Sequence, residues 1–311
     1  MSELSGQKRT KPQPDWKIVF EDATSLRLIV EAVSTVMTRV MFKVIKKSNG
    51  LYFLCVDGAD VGLTCCVSAR LQLDNVVWNV DDVNKEDVEF DFCVECKHVL
   101  TAIDPSSTGG SLTLEGHAHD ATITVRLQDP DQPSHEDVSE LSTYVDGDAG
   151  FKLTPMDFQT LLEIDLSKLR EIVKKARKSR AEILRIRVFT QDNGSKKYSM
   201  VIFSVKGDNQ KHDQKFCHEI NHHEDGSMVV RAAADGETTL FDTLAQPAMF
   251  DHGFPVDKIE SFIKNLPTRM MLAKIKSGLP MMLSHNLKGA NDDSQHIRFL
   301  VASTNEDDDD D

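Results

Sequence analysis

The sequence lacks the features that place a protein in a membrane or on a secretory route. No apolar run approaches the roughly 18 residues that a bilayer span requires, and the first 15 residues are polar and basic, without the apolar core of a signal peptide. We therefore expect no membrane partner and no secretion. The six cysteines lie mostly among apolar neighbours, which is typical of buried thiols in a reducing compartment.

The sequence also lacks phosphate-binding loops of the P-loop or G-x-G-x-x-G type, and we predict no cofactor. Its 40% hydrophobic and 28% charged residues are ordinary for a globular protein. A chain of 311 residues can hold two domains that each bury a core.

Charge is distributed unevenly along the chain. The net charge of −14 would normally argue against nucleic acid binding. However, the segment 166–187 contains nine Lys/Arg and two Glu, a local charge of +7, which leaves about −21 for the rest of the chain. This segregation indicates one basic surface on an otherwise acidic protein.

An internal repeat is the clearest positive feature. Asp22-Ala-Thr-Ser-Leu-Arg-Leu-Ile-Val30 matches Asp165-Leu-Ser-Lys-Leu-Arg-Glu-Ile-Val173 in register, 143 residues later. Each copy is followed by an Asn-Gly turn between apolar runs, at Asn49-Gly50 and Asn193-Gly194. The repeat predicts two copies of one fold unit.

Periodicity predicts the same order of elements in both copies: strand, helix, several strands, helix, several strands. The predicted helices cover residues 25–40, 94–103, 167–180 and 255–266. We predict an α+β protein with five parts: a flexible basic arm (1–15), a first domain (16–127), an acidic connector rich in Pro and Asp (128–150), a second domain (151–304) and an acidic tail (305–311).

From Trp16 to Ala302, this order resembles the DNA sliding clamps of the PCNA type. Four stretches carry the resemblance: 51–61 (LYFLCVDGADV), 121–130 (ATITVRLQDP), 278–284 (GLPMMLS) and 296–302 (HIRFLVA). The resemblance implies two tandem similar domains, each with two helices packed on antiparallel sheets. It also implies that three chains close into a pseudo-sixfold ring, lined by helices, around duplex DNA.

The expected DNA-binding surface combines the resemblance with the basic helix. Within 166–180, Leu169, Ile172, Val173 and Ala176 form the predicted buried stripe, and the lysines lie opposite. Such a surface would attract phosphates without reading bases. The predicted DNA-binding residues are Arg27, Arg39, Lys97, Lys168, Arg170, Lys174, Lys175, Arg177, Lys178 and Lys264.

The resemblance further implies a pocket for short partner peptides, beneath the connector. The matching positions are Val56, Phe151, Leu153, Pro280, Leu300 and Ala302. Asp60 replaces a family histidine and Ser303 a family proline, which changes the expected peptide specificity. Gln191 lies where the family carries a regulatory lysine, so that modification is not predicted.

Two other motifs point to different chemistry. His218-Glu-Ile-Asn-His222 matches the H-E-x-x-H signature of zinc proteases, which requires both histidines on one helical turn. The alternation of Phe216, His218 and Ile220 instead predicts a strand. Cys93-Val-Glu-Cys96 has no second pair to complete a zinc ribbon. We therefore predict no metal site and no catalytic residue.

The sequence thus predicts a homotrimeric clamp that is a processivity factor and not an enzyme, in the nucleus or in a viral replication compartment. Its expected partners are duplex DNA, a DNA polymerase and other peptide-motif proteins, and a clamp loader. The alternatives are a subunit of a heterotrimeric checkpoint clamp and a viral processivity factor that forms no ring. A metal-dependent hydrolase is a remote third.

Overall fold

The computed structural model describes residues 13–60, 62–73, 75–78, 89–103, 110–117, 120–129, 131, 134–144, 156–158, 160–194, 196–208, 210–222, 226–233, 247–287 and 295–304. Across these residues the protein is α+β, with four helices and a majority of strands, so the predicted class is confirmed at that level. None of the helices in the described residues has the length and apolar character needed to cross a bilayer.

The helices form two packed pairs. Helix α1 (Thr24–Ser34) contacts α2 (Cys96–Ala102), and α3 (Leu166–Ser179) contacts α4 (Val256–Ile263). The two pairs occupy equivalent places in the two copies of the repeat, as the periodicity predicts.

The first helix is shorter than predicted. It ends at Ser34, and Thr35 bonds back to the carbonyl of Ala32 through its backbone and its hydroxyl. The apolar residues at 36, 37 and 40 extend the helical spacing, but Val40 belongs to the next strand. β-branched residues at 35, 36, 38 and 40 favour an extended chain, which explains the early end.

Nineteen strands are assigned within the described residues. They are β1 Trp16–Phe20, β2 Arg39–Lys46, β3 Tyr52–Ala59, β4 Cys65–Leu73, β5 Asn75–Trp78, β6 Glu89–Glu95, β7 Leu112–Gly116, β8 Thr122–Gln128, β9 Glu136–Ser142, β10 Thr160–Asp165, β11 Ile183–Asn193, β12 Lys196–Lys206, β13 Lys211–Glu219, β14 Asn221–His222, β15 Met228–Ala232, β16 Phe250–Pro255, β17 Met270–Ile275, β18 Met281–Asn286 and β19 His296–Val301.

These strands form three sheets. The N-terminal sheet has the order β5-β1-β7-β8-β9, and the C-terminal sheet has the order β13-β12-β11-β16. The long sheet has ten strands in the order β14-β15-β10-β17-β18-β19-β4-β3-β2-β6. Its centre joins β4, from the first half of the sequence, to β19, from the second half, with Val67 opposite Phe299.

One apolar core lies between the helices and the sheets. All four helices contribute to it, and on α3 the predicted stripe of Leu169, Ile172, Val173 and Ala176 is at most 3% exposed. Strand β12 has eight consecutive buried residues, 198–205, which indicates that both of its faces are covered.

Both Asn-Gly turns have the predicted geometry. Gly50 and Gly194 have φ angles of +84° and +67°, a region that glycine adopts without steric cost. They connect β2 to β3 and β11 to β12, which pair in antiparallel register.

The predicted connector contains a strand. Residues 136–142 form β9, which pairs along its whole length with β8, from Thr122 opposite Ser142 to Gln128 opposite Glu136. The composition of the segment does not predict this strand, because Glu, Asp and Ser have low strand propensity, whereas charged residues are common on strands at a sheet edge. The predicted tail and most of the predicted arm lie outside the described residues.

Candidate nucleic-acid interface and partner surface

The basic helix α3 is well defined at both ends. The Asp165 carboxylate accepts hydrogen bonds from the backbone N–H (2.9 Å) and the hydroxyl (2.6 Å) of Ser167. Although burial acts to raise the pKa of Asp165, these bonds outweigh it and lower the pKa. At the other end Arg180 has a φ of 58°, and the N–H of Ala181 bonds to the carbonyl of Ala176 (2.9 Å).

Lys174 and Lys178 lie one turn apart on α3 and are exposed. Lys97, near the start of α2, and Lys264, directly after α4, are exposed as well. Within the described part of the chain, no carboxylate lies in ion-pair range of these four lysines. They are therefore the charges best able to meet an external anion.

Besides Arg27, which pairs with Glu31 at 2.9 Å, three other predicted DNA-binding residues have acidic partners. Glu171 lies 3.4 Å from Lys168 and 3.0 Å from Lys175, and Arg177 contacts Glu260 at 2.6 Å. The hydrogen bond and the charge of Lys175 lower the pKa of Glu171. These pairs are open to solvent, so a phosphate can compete with them at small cost.

The structure gives different roles to the remaining three arginines that sequence reasoning assigned to DNA. Arg39 lies in β2, not on a helix, and its guanidinium is 4.0 Å from the ring centre of Tyr144. Arg27 and Arg170 donate hydrogen bonds to backbone carbonyls at the ends of α2 and α4. Their DNA contacts stay predictions, but their side chains have structural partners.

Two of the basic residues in the segment 166–187 lie on strand β11 and not on helix α3. Arg185, in β11, forms two hydrogen bonds with Asp251, at 2.6 and 3.1 Å, and Arg187 donates to the hydroxyl of Ser204 at 3.0 Å. The local charge of +7 is therefore divided between the helix and the neighbouring sheet.

A second candidate site is an apolar row across the long sheet, in which Cys66, Met282 and Leu300 are buried. Ala59, Cys66, Leu300 and Met282 lie opposite one another on β3, β4, β19 and β18. Met156 and Phe158 pack against this row. Sequence reasoning found Leu300 but missed the other members, since register across strands distant in sequence is not visible in a linear pattern.

The other predicted pocket residues lie in different surroundings. Val56 is 1% exposed within the main core, and it lies on the opposite face of β3 from Ala59. The N–H of Ala302 bonds to the carbonyl of Thr64 (2.8 Å), and Pro280 directly precedes β18. Phe151 and Leu153 lie outside the described residues.

The loop before β4 presents an apolar side chain that sequence reasoning missed. Leu63 is 63% exposed and has a φ of 54°, which is unusual for a leucine. Asp60 fixes this loop by accepting hydrogen bonds from the N–H groups of Thr64 (2.7 Å) and Cys65 (3.2 Å) and from the Thr64 hydroxyl. Lys258 of α4 lies 3.6 Å from the same carboxylate.

The environment of Asp60 keeps it ionised. Burial alone would raise its pKa, but the hydrogen bonds from Thr64 and Cys65 outweigh burial and lower the pKa to about 2. The Asp60 carboxylate thus binds groups of its own loop and lies beside Lys258. This structural role differs from the peptide contact that the resemblance assigns to this position.

The zinc-protease motif is not on a helix. His218 lies in β13, is 7% exposed, and its Nε2 is 2.9 Å from the carbonyl of Ala233. His222 lies in β14 and is exposed. The two side chains therefore lack the spacing of one helical turn, and no cluster of three potential metal ligands occurs among the described residues.

The C-x-x-C motif forms no disulfide. Cys93 in β6 and Cys96 at the start of α2 are both buried, and neither is in a disulfide. Burial raises the pKa of Cys96 to about 11, the opposite of what a reactive thiol needs.

A scan of family models and a search of curated proteins found no match to this chain.

Proposed function

We propose that this chain is a DNA sliding clamp, a non-enzymatic processivity factor that encircles duplex DNA as a homotrimer. The observation that carries the proposal is the duplicated pair of packed helices, whose exposed lysines have no acidic partner in the described residues although the chain has a net charge of −14. These lysines are Lys97, Lys174, Lys178 and Lys264.

Such a surface suits binding that ignores base sequence. Lysine ammonium groups on helices attract phosphates through charge, and each neutralised phosphate releases counterions. The acidic remainder of the chain would repel DNA from other faces. A protein that slides along DNA needs attraction of this kind, without base contacts that would fix its position.

Two sheet edges support self-association. Strand β9 ends the N-terminal sheet and β13 ends the C-terminal sheet, and each has one neighbour among the described strands. Strand β9 carries Glu136, Asp137 and Glu140, and β13 carries Lys211 and Lys215 together with Asp213 and Glu219. Pairing of β9 with β13 of another copy would continue both sheets, and a head-to-tail contact of this kind can close into a ring.

The apolar row and the exposed Leu63 support a partner surface. Polymerases and other proteins would place an apolar anchor against the exposed Leu63, beside Met156 and Phe158, which pack against the row of Leu300. Loading onto DNA would require a clamp loader, and the site of action would be the nucleus or a viral replication compartment.

The first test is the solution mass by light scattering at several protein concentrations. A mass near three times 34.8 kDa is expected. A monomer or dimer that persists at high concentration would refute the homotrimer and favour a heterotrimeric clamp subunit or a processivity factor that forms no ring.

The second test is topological. Protein loaded on a nicked circular duplex should remain bound in high salt and should be lost when the circle is cut, because a ring can slide off a free end. Equal loss from circular and linear DNA would contradict encirclement.

A further inference from the structure

Arg27 and Arg170 occupy matching positions of the internal repeat and make the same type of contact. Arg170, on α3, donates from Nη2 to the carbonyls of Ile263 (2.8 Å) and Leu266 (2.6 Å), at the end of α4. Arg27, on α1, donates from Nη1 to one carbonyl, that of Ile103 at the end of α2, and from Nε to the Glu31 carboxylate (2.9 Å). The Leu-Arg pair of the repeat thus has a structural reason in both halves.

The ends of α2 and α4 are suitable partners for a guanidinium group. The last carbonyls of a helix have no partner within it, and the C-terminus carries a partial negative charge. A planar guanidinium can reach two or three such carbonyls at once, whereas an ammonium group is a single point of attachment. The contact at 3.4 Å from Arg170 to the carbonyl of Lys264 extends this set.

The contacts also orient the donors away from solvent. The bonds of Arg170 to Ile263 and Leu266 and that of Arg27 to Ile103 are part-buried. A phosphate on the exposed face of the helices would therefore compete with these carbonyls for both guanidinium groups, while Lys264 stays exposed beside the end of α4.

We propose that Arg27 and Arg170 are positioning residues for DNA binding. Each fixes the end of the second helix of its pair, and Arg170 thereby holds Lys264 where it meets a phosphate. Arg27 fixes the end of α2 and thereby the position of this short helix, which carries Lys97 near its start. This inference rests on the proposed function, and it replaces the direct DNA contact that the sequence predicts for these two arginines.

The test is the substitution Arg170→Lys, which keeps the charge and removes the planar group. Binding to a fluorescein-labelled 30-base-pair duplex is measured at several salt concentrations. The salt slope is the slope of log K against the logarithm of the salt concentration, and it is negative. If Arg170 acts through Lys264, Arg170→Lys and Lys264→Ala each reduce the magnitude of this slope by about 0.9, and the double variant reduces it by the same 0.9. The control is Arg180→Lys, the same change at an 85% exposed side chain, which should leave the slope unchanged.

Hydrogen exchange gives a readout that does not depend on DNA. Arg170→Lys should speed amide exchange at the end of α4 and leave α2 unchanged, and Arg27→Lys should show the reverse pattern. Thermal melting by circular dichroism checks that the variants are folded.

The outcomes separate the two claims. Wild-type protein that binds no duplex at low salt would refute the proposed function, and with it the role in DNA binding. Wild-type binding with an unchanged slope in Arg170→Lys would refute only the positioning role, as would additive slopes in the double variant.

Discussion

Replacing Asp60 with asparagine should destabilise the protein at neutral pH by at most about 2 kcal/mol. The substitution Asp60→Asn keeps the size of the side chain but removes its charge and one acceptor oxygen. The aspartate side chain is 15% exposed, accepts four hydrogen bonds from Thr64 and Cys65 within its own loop and lies 3.6 Å from Lys258. These contacts hold the loop that presents Leu63 and connect it to α4.

The magnitude follows from the pKa of Asp60. The ordinary value of 3.8 falls to about 2 in the folded protein, although burial acts in the opposite direction. Since about 1.4 kcal/mol corresponds to a tenfold change in an equilibrium constant, the folded state favours the ionised form by about 2 kcal/mol. Part of this value is lost to solvent screening, so 2 kcal/mol is an upper expectation.

The effect should depend on pH in a defined direction. The folded-state pKa of Asp60 lies below the unfolded value, so its stabilisation is complete above about pH 4 and is lost as the pH falls towards 2. The stability difference between wild type and Asp60→Asn should therefore be largest near neutral pH and should narrow in acid.

Urea unfolding at a fixed protein concentration, repeated between about pH 7 and pH 3, measures this difference. The control is Asp57→Asn, an exposed position in the preceding strand β3, which should change stability by less than about 0.5 kcal/mol. A variant at position 60 as stable as wild type at pH 7 would refute the reasoning, as would a difference that does not change with pH.

Three further predictions concern the basic helix, its end and the sheet edge. The double variant Lys174→Ala/Lys178→Ala should lower the salt slope of DNA binding by about 1.8, because two phosphate contacts are lost. Gly207→Ala should lower the melting temperature, since a Cβ there would collide with the backbone carbonyl oxygen of Ser179 at the end of α3. Val138→Asp, at a 52% exposed residue of β9, should reduce the solution mass without lowering the stability of the single chain.

Each of these variants has a matched control. Lys206→Ala removes an exposed charge at the end of β12 and should leave the DNA salt slope nearly unchanged. Gly62→Ala introduces a Cβ with its nearest contact at 3.4 Å, so a melting temperature that falls as far as in Gly207→Ala would contradict the steric argument. Val77→Asp changes a 41% exposed valine on β5, and equal dissociation by both valine variants would argue against a specific role for β9.

Regular local patterns predicted much of the fold correctly. The buried stripe of α3, with Leu169 and Ile172 at its centre, follows from helical spacing, and the positions of both hairpins follow from their Asn-Gly turns. Boundaries were less accurate. The prediction extended the first helix to Val40, whereas the helix ends at Ser34. Apolar residues in a following strand can continue a helical spacing by coincidence.

The candidate site was predicted in part. Exposed lysines on an amphipathic helix, such as Lys174 and Lys178, can be read from the sequence because the buried stripe fixes the opposite face. The sequence does not reveal which cations already have partners. Arg170 has the same charge and the same helix as these lysines, yet its guanidinium binds carbonyls 93 and 96 residues away.

The sequence alone determined the α+β class, the duplicated order of elements, the two hairpins and the basic helix, because each depends on periodicity or on residues close together in the chain. The tertiary structure decided the rest. It joined β4 to β19 in one sheet, aligned Cys66 with Leu300, placed Val56 in the core and committed Asp60 to its loop. The joining of β4 to β19 and the alignment of Cys66 with Leu300 depend on packing between segments more than a hundred residues apart. The contacts of Asp60 are close in sequence, but they form only in the folded geometry of the loop.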